Sequence, residues 1–179
     1  MMQIRPAEAA DLPAVTAIYA HHVRTGCASF ELDPPTLVEM RERFDGILAG
    51  GYPYLVATDG AQVLGYAYAN AYRARPAYRF TVEDSIYLDP AAAGRGIGKA
   101  LLNALIERCE AGGWRQMLAV IGDAGNAASI GVHRACGFTL KCTLDAVGFK
   151  FDRWVDSVIM QRKLGETDRS PPADTAVRP

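Results

Sequence analysis

The chain has 179 residues, with 19 Lys and Arg against 20 Asp and Glu and a formal net charge of −1 at pH 7. So even a balance lacks the broad positive field that nucleic acid or an anionic membrane selects, and the length suits one domain. No apolar run reaches the ~20 residues of a membrane span, and the N-terminal stretch MMQIRPAEAADL has neither a charged leader nor a cleavage site, so a soluble, cytoplasmic protein without nucleic-acid or membrane partners is expected.

Cys27, Cys109, Cys136 and Cys142 form no Cys-x-x-Cys pair, and His21, His22 and His133 complete no metal-ligand spacing with them. Reduced, mostly structural thiols and no metal are expected.

In chain order, Gln3 to Arg5 reads as a short first strand. Pro6 and Asp11 lead into a helix whose apolar residues Leu12, Val15, Ile18 and Tyr19 recur at helical spacing. Asp11 is the expected N-cap, with Pro13 in the first turn. A second helix is expected from Thr36 to Ala49, ended by Gly50 and Gly51. Tyr54 to Thr58 and Val63 to Ala71 are β-rich runs around Asp59-Gly60, a dipeptide suited to a hairpin turn. A third run, Phe80 to Leu88, leads through Asp89-Pro90 into a glycine loop.

From Ile97, the residues Leu101, Leu102, Leu105, Ile106 and Cys109 mark one face of an amphipathic helix that Gly112-Gly113 ends. A buried-type strand, Met117 to Ile121, then a helix from about Asn126 to Cys136 and strands Phe138 to Val147 and Trp154 to Gln161 follow. This alternation implies an α/β (α+β) domain, a mixed sheet covered by helices, over residues 1–164. Residues 165–179, GETDRSPPADTAVRP, lose aromatics and periodicity and are expected to be a disordered tail.

The glycine loop lies in AAAGRGIGKALL, residues 91–102, where Gly94, Gly96 and Gly98 alternate with Arg95 and Ile97 ahead of Lys99 and Ala100. A glycine turn between strand and helix aims several backbone N–H groups one way, and the helix start favours an anion, so phosphate is the natural ligand. A Walker loop needs glycine where Ala93 stands and Ser or Thr where Ala100 stands. A dinucleotide fingerprint fails as well, because Lys99 or Leu101 falls at its last glycine.

What fits is Gly-x-Gly opening a helix after a strand, followed by a second helix that begins near an asparagine and ends in Gly-Phe: NAASIGVHRACGF, Asn126 to Phe138. Over residues 3–163 the chain resembles the GCN5-related N-acetyltransferase superfamily. ARPAYRFTVEDSIYLDP, GYPYLVA, AVIGDAGNAASIGVH and VGFKFDRWVD resemble its phosphinothricin and methionine sulfoximine acetyltransferase branch. The resemblance implies an acyl-CoA N-acyltransferase fold of about seven strands and about four helices with a splayed central cleft. It implies acetyl-CoA as co-substrate, a homodimer, and transfer of acetyl to the α-amine of a small anionic amino-acid analogue. Gly94 to Ala100 would hold the pyrophosphate, with Ala93 where the family prefers Arg or Gln. Backbone groups from Ile86, Tyr87 and Leu88 would meet the pantetheine amides, and Asn126 and Ser129 the acyl arm.

Amide formation needs an unprotonated amine, so a carboxylate base would help, and Glu83 is the leading candidate. Along the same strand Asp84 shares parity with Val82, Ile86 and Leu88 and interrupts an apolar face. Either it is paired, or the strand bulges near Glu83 to Ser85, as the family's strands do at this point. His133 stands where superfamily members often place a tyrosine that protonates the departing thiolate; its alternative role is packing. Arg73, Arg75 and Arg79, with Tyr78, Asp84 and Ser85, are the candidates for the acceptor, since a guanidinium fork pairs with carboxylate or phosphinate; the alternative is a solvated loop. Neither Cys136 nor Cys142 has a histidine and carboxylate at recognised spacing, so direct transfer is expected. A noncatalytic acyl-CoA sensor, or an acetyltransferase for a different small amine, stays open on sequence alone.

Overall fold

The computed structural model describes residues 1–172. Seven strands form one sheet in the order β1-β2-β3-β4-β5-β7-β6. They are β1 (Met2–Pro6), β2 (Tyr54–Asp59), β3 (Gln62–Ala71), β4 (Thr81–Leu88), β5 (Gln116–Gly122), β6 (Thr139–Lys150) and β7 (Arg153–Lys163). Four α-helices accompany them: α1 (Leu12–Thr25), α2 (Leu37–Ala49), α3 (Ile97–Ala111) and α4 (Ala127–Ala135). Every neighbouring pair is antiparallel except β4 and β5.

Alternation along the strands builds two cores, one on each face. Leu55 and Ala57 of β2, with Val82, Met117 and Met160, pack under Leu101, Leu102, Leu105 and Cys109 of α3. On the reverse face Tyr54, Val56 and Tyr66 meet Leu12, Val15 and Val23 of α1 and Met40, Phe44 and Ile47 of α2. Each fully buried aliphatic or aromatic side chain here stabilises the fold by about 1.5–3 kcal/mol. β2 and β3, covered on both faces, therefore read as nearly continuous apolar runs.

Local chemistry sets the helix boundaries. Thr36 and Glu39 form a capping box at the start of α2: Thr36 Oγ1 accepts from the Glu39 N–H at 3.2 Å and the Glu39 carboxylate accepts from the Thr36 N–H at 2.6 Å. Asp11 occupies the N-cap position of α1, as expected, but its carboxylate does not cap the helix. It accepts instead from the Arg5 guanidinium at 2.7 and 2.8 Å and from the Glu8 N–H at 2.8 Å, tying β1 to the helix start. The tail expected from residue 165 begins as turns: the Thr167 N–H donates to the Leu164 carbonyl at 2.9 Å and Arg115 donates to the Thr167 carbonyl at 3.2 Å. Residues 173–179 of that tail lie outside the described residues.

Candidate active site

β4 and β5 pair only from Thr81↔Gln116 to Asp84↔Ala119. Beyond Asp84 the strands part, while β5 continues along β7 to Gly122 and β4 continues along β3 to Leu88. The gap is a cleft of about 510 Å³ walled by β4, the C-terminal residues of β5, the end of α1 and the first turns of α4. The fork arises without a bulge on the β3 side, where the register runs unbroken from Ala71↔Val82 to Gly65↔Leu88. The expected bulge is absent there, and Asp84 has the partner that was its alternative, His133.

Antiparallel alternation fixes which backbone groups face the opening. The Asp89 N–H donates to Leu64 at 2.9 Å and the Tyr72 N–H to Thr81 at 3.3 Å, so Glu83, Ser85 and Tyr87 direct their peptide groups at β3. Ile86 and Leu88 direct theirs into the cleft. Tyr87, expected to meet pantetheine through its backbone, instead bonds Tyr66 across the ladder, and its ring lies in a cluster with Tyr19 and Tyr66. The Leu88 carbonyl accepts from His22 Nε2 at 2.7 Å, which leaves the Ile86 groups and the Leu88 N–H facing the cleft.

At the mouth, Gly94 and Gly96 have φ of +74° and +75°, and an added Cβ at either would meet nothing within 4 Å. Glycine is required there for the left-handed backbone and not for space. Gly96 is the N-cap of α3, and no side chain caps that helix, so the N–H groups of Ile97, Gly98 and Lys99 point outward. Arg95 and Lys99 are exposed beside them. Uncapped N–H groups, a left-handed loop and cleft-facing strand amides match the phosphate and amide groups of a coenzyme A molecule.

Asn126 caps α4, its Oδ1 accepting from the Ser129 N–H at 3.1 Å, while both residues line the cleft. Gly122, where β5 ends, brings the Cys27 carbonyl so close that an added Cβ would lie 1.9 Å from it. The segment after α1 thereby closes one side of the cleft.

Glu83 is half-buried on the opposite face of β4 from Asp84. Burial first, and the charge of Asp84 second, push its carboxyl up to about 7. Asp84 is buried and meets His133, whose Nε2 lies 3.0 Å from Asp84 Oδ2, while His133 Nδ1 lies 2.7 Å from the Ser129 carbonyl. Asp84, expected toward the acceptor, is therefore committed to α4. Arg73, Arg75, Tyr78 and Arg79 sit together on the exposed β3–β4 loop and do not line the cleft. Arg73 lies over Tyr72 and Tyr78, at 5.2 and 5.9 Å from the ring centroids, and Arg79 over Phe80 at 4.5 Å. Ser85 is in the cleft wall.

Sequence reasoning passed over His21, His22, Gly26 and Cys27 at the end of α1, and Val120 to Gly122 on β5 with Asp123 just after it, all of which line the cleft. A pair of adjacent histidines running into Gly-Cys was the one local signal. Cys27, Cys109, Cys136 and Cys142 are all free thiols.

A β4–β5 fork, an anion-binding glycine loop and a second capped helix define an acyl-CoA-dependent N-acetyltransferase. The sequence model of the acetyltransferase (GNAT) family matches residues 17–138, and the chain belongs to that family, whose members take the acetyl group from acetyl-CoA. Among relatives, it is 59% identical over 162 residues to a phosphinothricin N-acetyltransferase of Alcaligenes faecalis, spanning 90% of this chain and 82% of that one. It is 44% identical over 169 residues to an L-methionine sulfoximine/L-methionine sulfone acetyltransferase of Pseudomonas aeruginosa, spanning 94% and 98%. A crystal structure of a GNAT phosphinothricin acetyltransferase from Sinorhizobium meliloti with acetyl-CoA superimposes with a TM-score of 0.95 at 52% identity, covering 98% of this chain and 95% of that one.

Proposed function

We propose that the chain acetylates the α-amine of a small anionic amino-acid analogue, of the phosphinothricin or methionine sulfoximine type, by direct transfer. One observation carries the substrate class: the 59% identity to a phosphinothricin N-acetyltransferase over most of both chains.

Glu83 is the general base of this reading. An aliphatic ammonium is mostly charged at neutral pH, and a half-buried carboxyl pushed up to about 7 is matched to taking its proton. Bound acetyl-CoA supplies the activated thioester. Glu83 takes the ammonium's proton and passes it to water; the freed amine then forms a C–N bond at the thioester carbonyl, the C–S bond breaks, the second nitrogen-bound proton goes to Glu83, and the sulfur leaves as CoA thiolate. Gly94 to Ala100, Ile86, Leu88, Asn126 and Ser129 hold the donor. Arg73, Arg75 and Arg79, with Tyr78 and Ser85, receive the acceptor's anionic group.

Thiol release from acetyl-CoA tests the reading with a panel of methionine sulfoximine, phosphinothricin, methionine sulfone, natural amino acids and polyamines. Release should be fastest with the first three. Acetyl-CoA binding without release for any amine would establish a noncatalytic sensor, and release with polyamines alone would overturn the acceptor class.

A homodimer belongs to the same reading. The exposed apolar side chains Val147, Phe149, Phe151 and Trp154 along the β6–β7 edge support it, and light scattering during size exclusion tests it. The near-equal basic and acidic counts, 19 and 20, argue against a nucleic-acid or anionic-membrane partner, and a cytoplasmic location belongs to the same reading.

A further inference from the structure

We propose that Asp84 and His133 form a net-neutral strut across the fork, with His133 as a buried imidazolium that neutralises Asp84 and holds α4 in place, making it a positioning residue and not the thiolate's proton donor.

The proton count follows from the partners. A carbonyl oxygen only accepts, so the Nδ1 facing the Ser129 carbonyl at 2.7 Å carries a hydrogen. Nε2 faces Asp84 Oδ2 at 3.0 Å, with side-chain exposures of 3% for His133 and 1% for Asp84. That contact needs one proton between nitrogen and oxygen, and imidazole is the more basic of the two. Both N–H groups are then committed, and neither is left to donate to a thiolate. The pair sits at the last β4–β5 rung, Asp84↔Ala119, and the ring packs edge-on against Phe138 at 5.0 Å. His133 thus pins to the fork the helix that carries Asn126 and Ser129.

The charges around the pair give this geometry a kinetic consequence. Burial pulls His133 down, but the hydrogen bond to Asp84, its charge and the Ser129 carbonyl outweigh it, and the net direction is up. Besides His133, the titratable groups that sense Asp84 are Glu83 on its own strand, Cys109 on α3 and Cys136 at the end of α4; burial raises both thiols and keeps them neutral. From the opposite face of β4 Glu83 senses the charge of Asp84, and its own charge is felt by the half-buried phenol of Tyr68 on β3. With Asp84 neutralised, Glu83 is set mainly by its own burial. Without His133, the bare carboxylate next to Glu83 holds the base protonated to higher pH.

Two measurements test this. ¹⁵N-histidine spectra of the wild-type protein should show both ring nitrogens of His133 protonated at pH 8; a bare ring nitrogen there overturns the proposal. This arm is independent of Glu83. The second arm, which rests on Glu83 as base, follows amine kcat/KM against pH for D84N, H133Q and D84N/H133Q. D84N keeps a hydrogen bond to a neutral His133, and its low-pH limb should not move upward. H133Q strands the charge, so its limb should shift up by about one unit and lower the rate near pH 6 about tenfold. The double variant should return the limb to its original position. An H133Q limb that stays in place with turnover lost, and no recovery in the double variant, assigns His133 as a proton donor and overturns the strut. A low-pH limb that stays in place in E83Q would indict the base assignment and leave the spectra unaffected. Should H133Q fail to fold, the wild-type spectra still decide.

Discussion

The donor end of the cleft and the proposed acceptor side are built from different materials. At the donor end the ligand-facing groups are peptide N–H and C=O, presented by left-handed glycines, an uncapped helix start and the freed edge of β4. At the proposed acceptor end they are side chains outside the cleft wall: Glu83, and Arg73, Arg75 and Arg79 of an exposed loop, of which Arg73 and Arg79 lie over neighbouring aromatic rings. Backbone recognition is indifferent to most substitutions and suits an invariant donor. Side-chain recognition changes with a few residues and suits a variable acceptor.

The largest expected effect breaks the acceptor end. Glu83→Gln removes the base, and turnover at pH 7 should fall by about 10²–10⁴. The deficit should shrink as pH rises through the amine's own range, where the substrate deprotonates unaided. A stopped-time thiol assay from pH 6 to 10 checks it; a deficit equal at every pH rules Glu83 out as the base.

The donor end answers to backbone change. Gly96→Ala forces an L-residue into φ of +75°, a strain of roughly 1–2 kcal/mol. Relieving it turns the α3 N–H groups away from the pyrophosphate, so the KM for acetyl-CoA should rise about tenfold while the KM for the amine stays within about twofold. Equal changes in both constants would mean that the two ends are not independent.

Arg75→Ala sharpens the comparison from the other side. Loss of an exposed guanidinium should raise the KM for phosphinothricin about fivefold and leave a neutral amine ester unaffected, with the acetyl-CoA KM unchanged. Parallel losses on anionic and neutral acceptors would return the arginines to a solvated loop.

Legibility in the sequence follows the same division. Strand and helix positions come from local periodicity, and every expected element is present with ends shifted by a few residues. The loop is legible because left-handed backbone demands glycine at particular positions. Asp84 is half legible: a charge on an apolar strand face announces a partner, but the partner, His133, is 49 residues away and set by how α4 docks. His22 on the Leu88 carbonyl, across 66 residues, has no local signature at all. The sequence pattern also does not say which edge of β4 each peptide faces, and it is the ladder with β3 that turns the peptide groups of Tyr87 away from the cleft.

The smallest effect concerns stability, and its sign is fixed by Glu83. A folded-state carboxyl pushed up to about 7 binds its proton more tightly than the unfolded chain does. The fold therefore loses stability as pH climbs from the ordinary carboxylate range to about 7, and bears the full cost above it. Glu83→Gln does not titrate and keeps the neutral form in place. Its melting temperature should match that of the parent near pH 4.5 and exceed it by about 2–4 °C at pH 8, the size expected for roughly 1 kcal/mol in a chain of this length. Differential scanning calorimetry across that range decides it. A gap that stays constant with pH would show that Glu83 is solvated and that the acceptor end holds its base without strain.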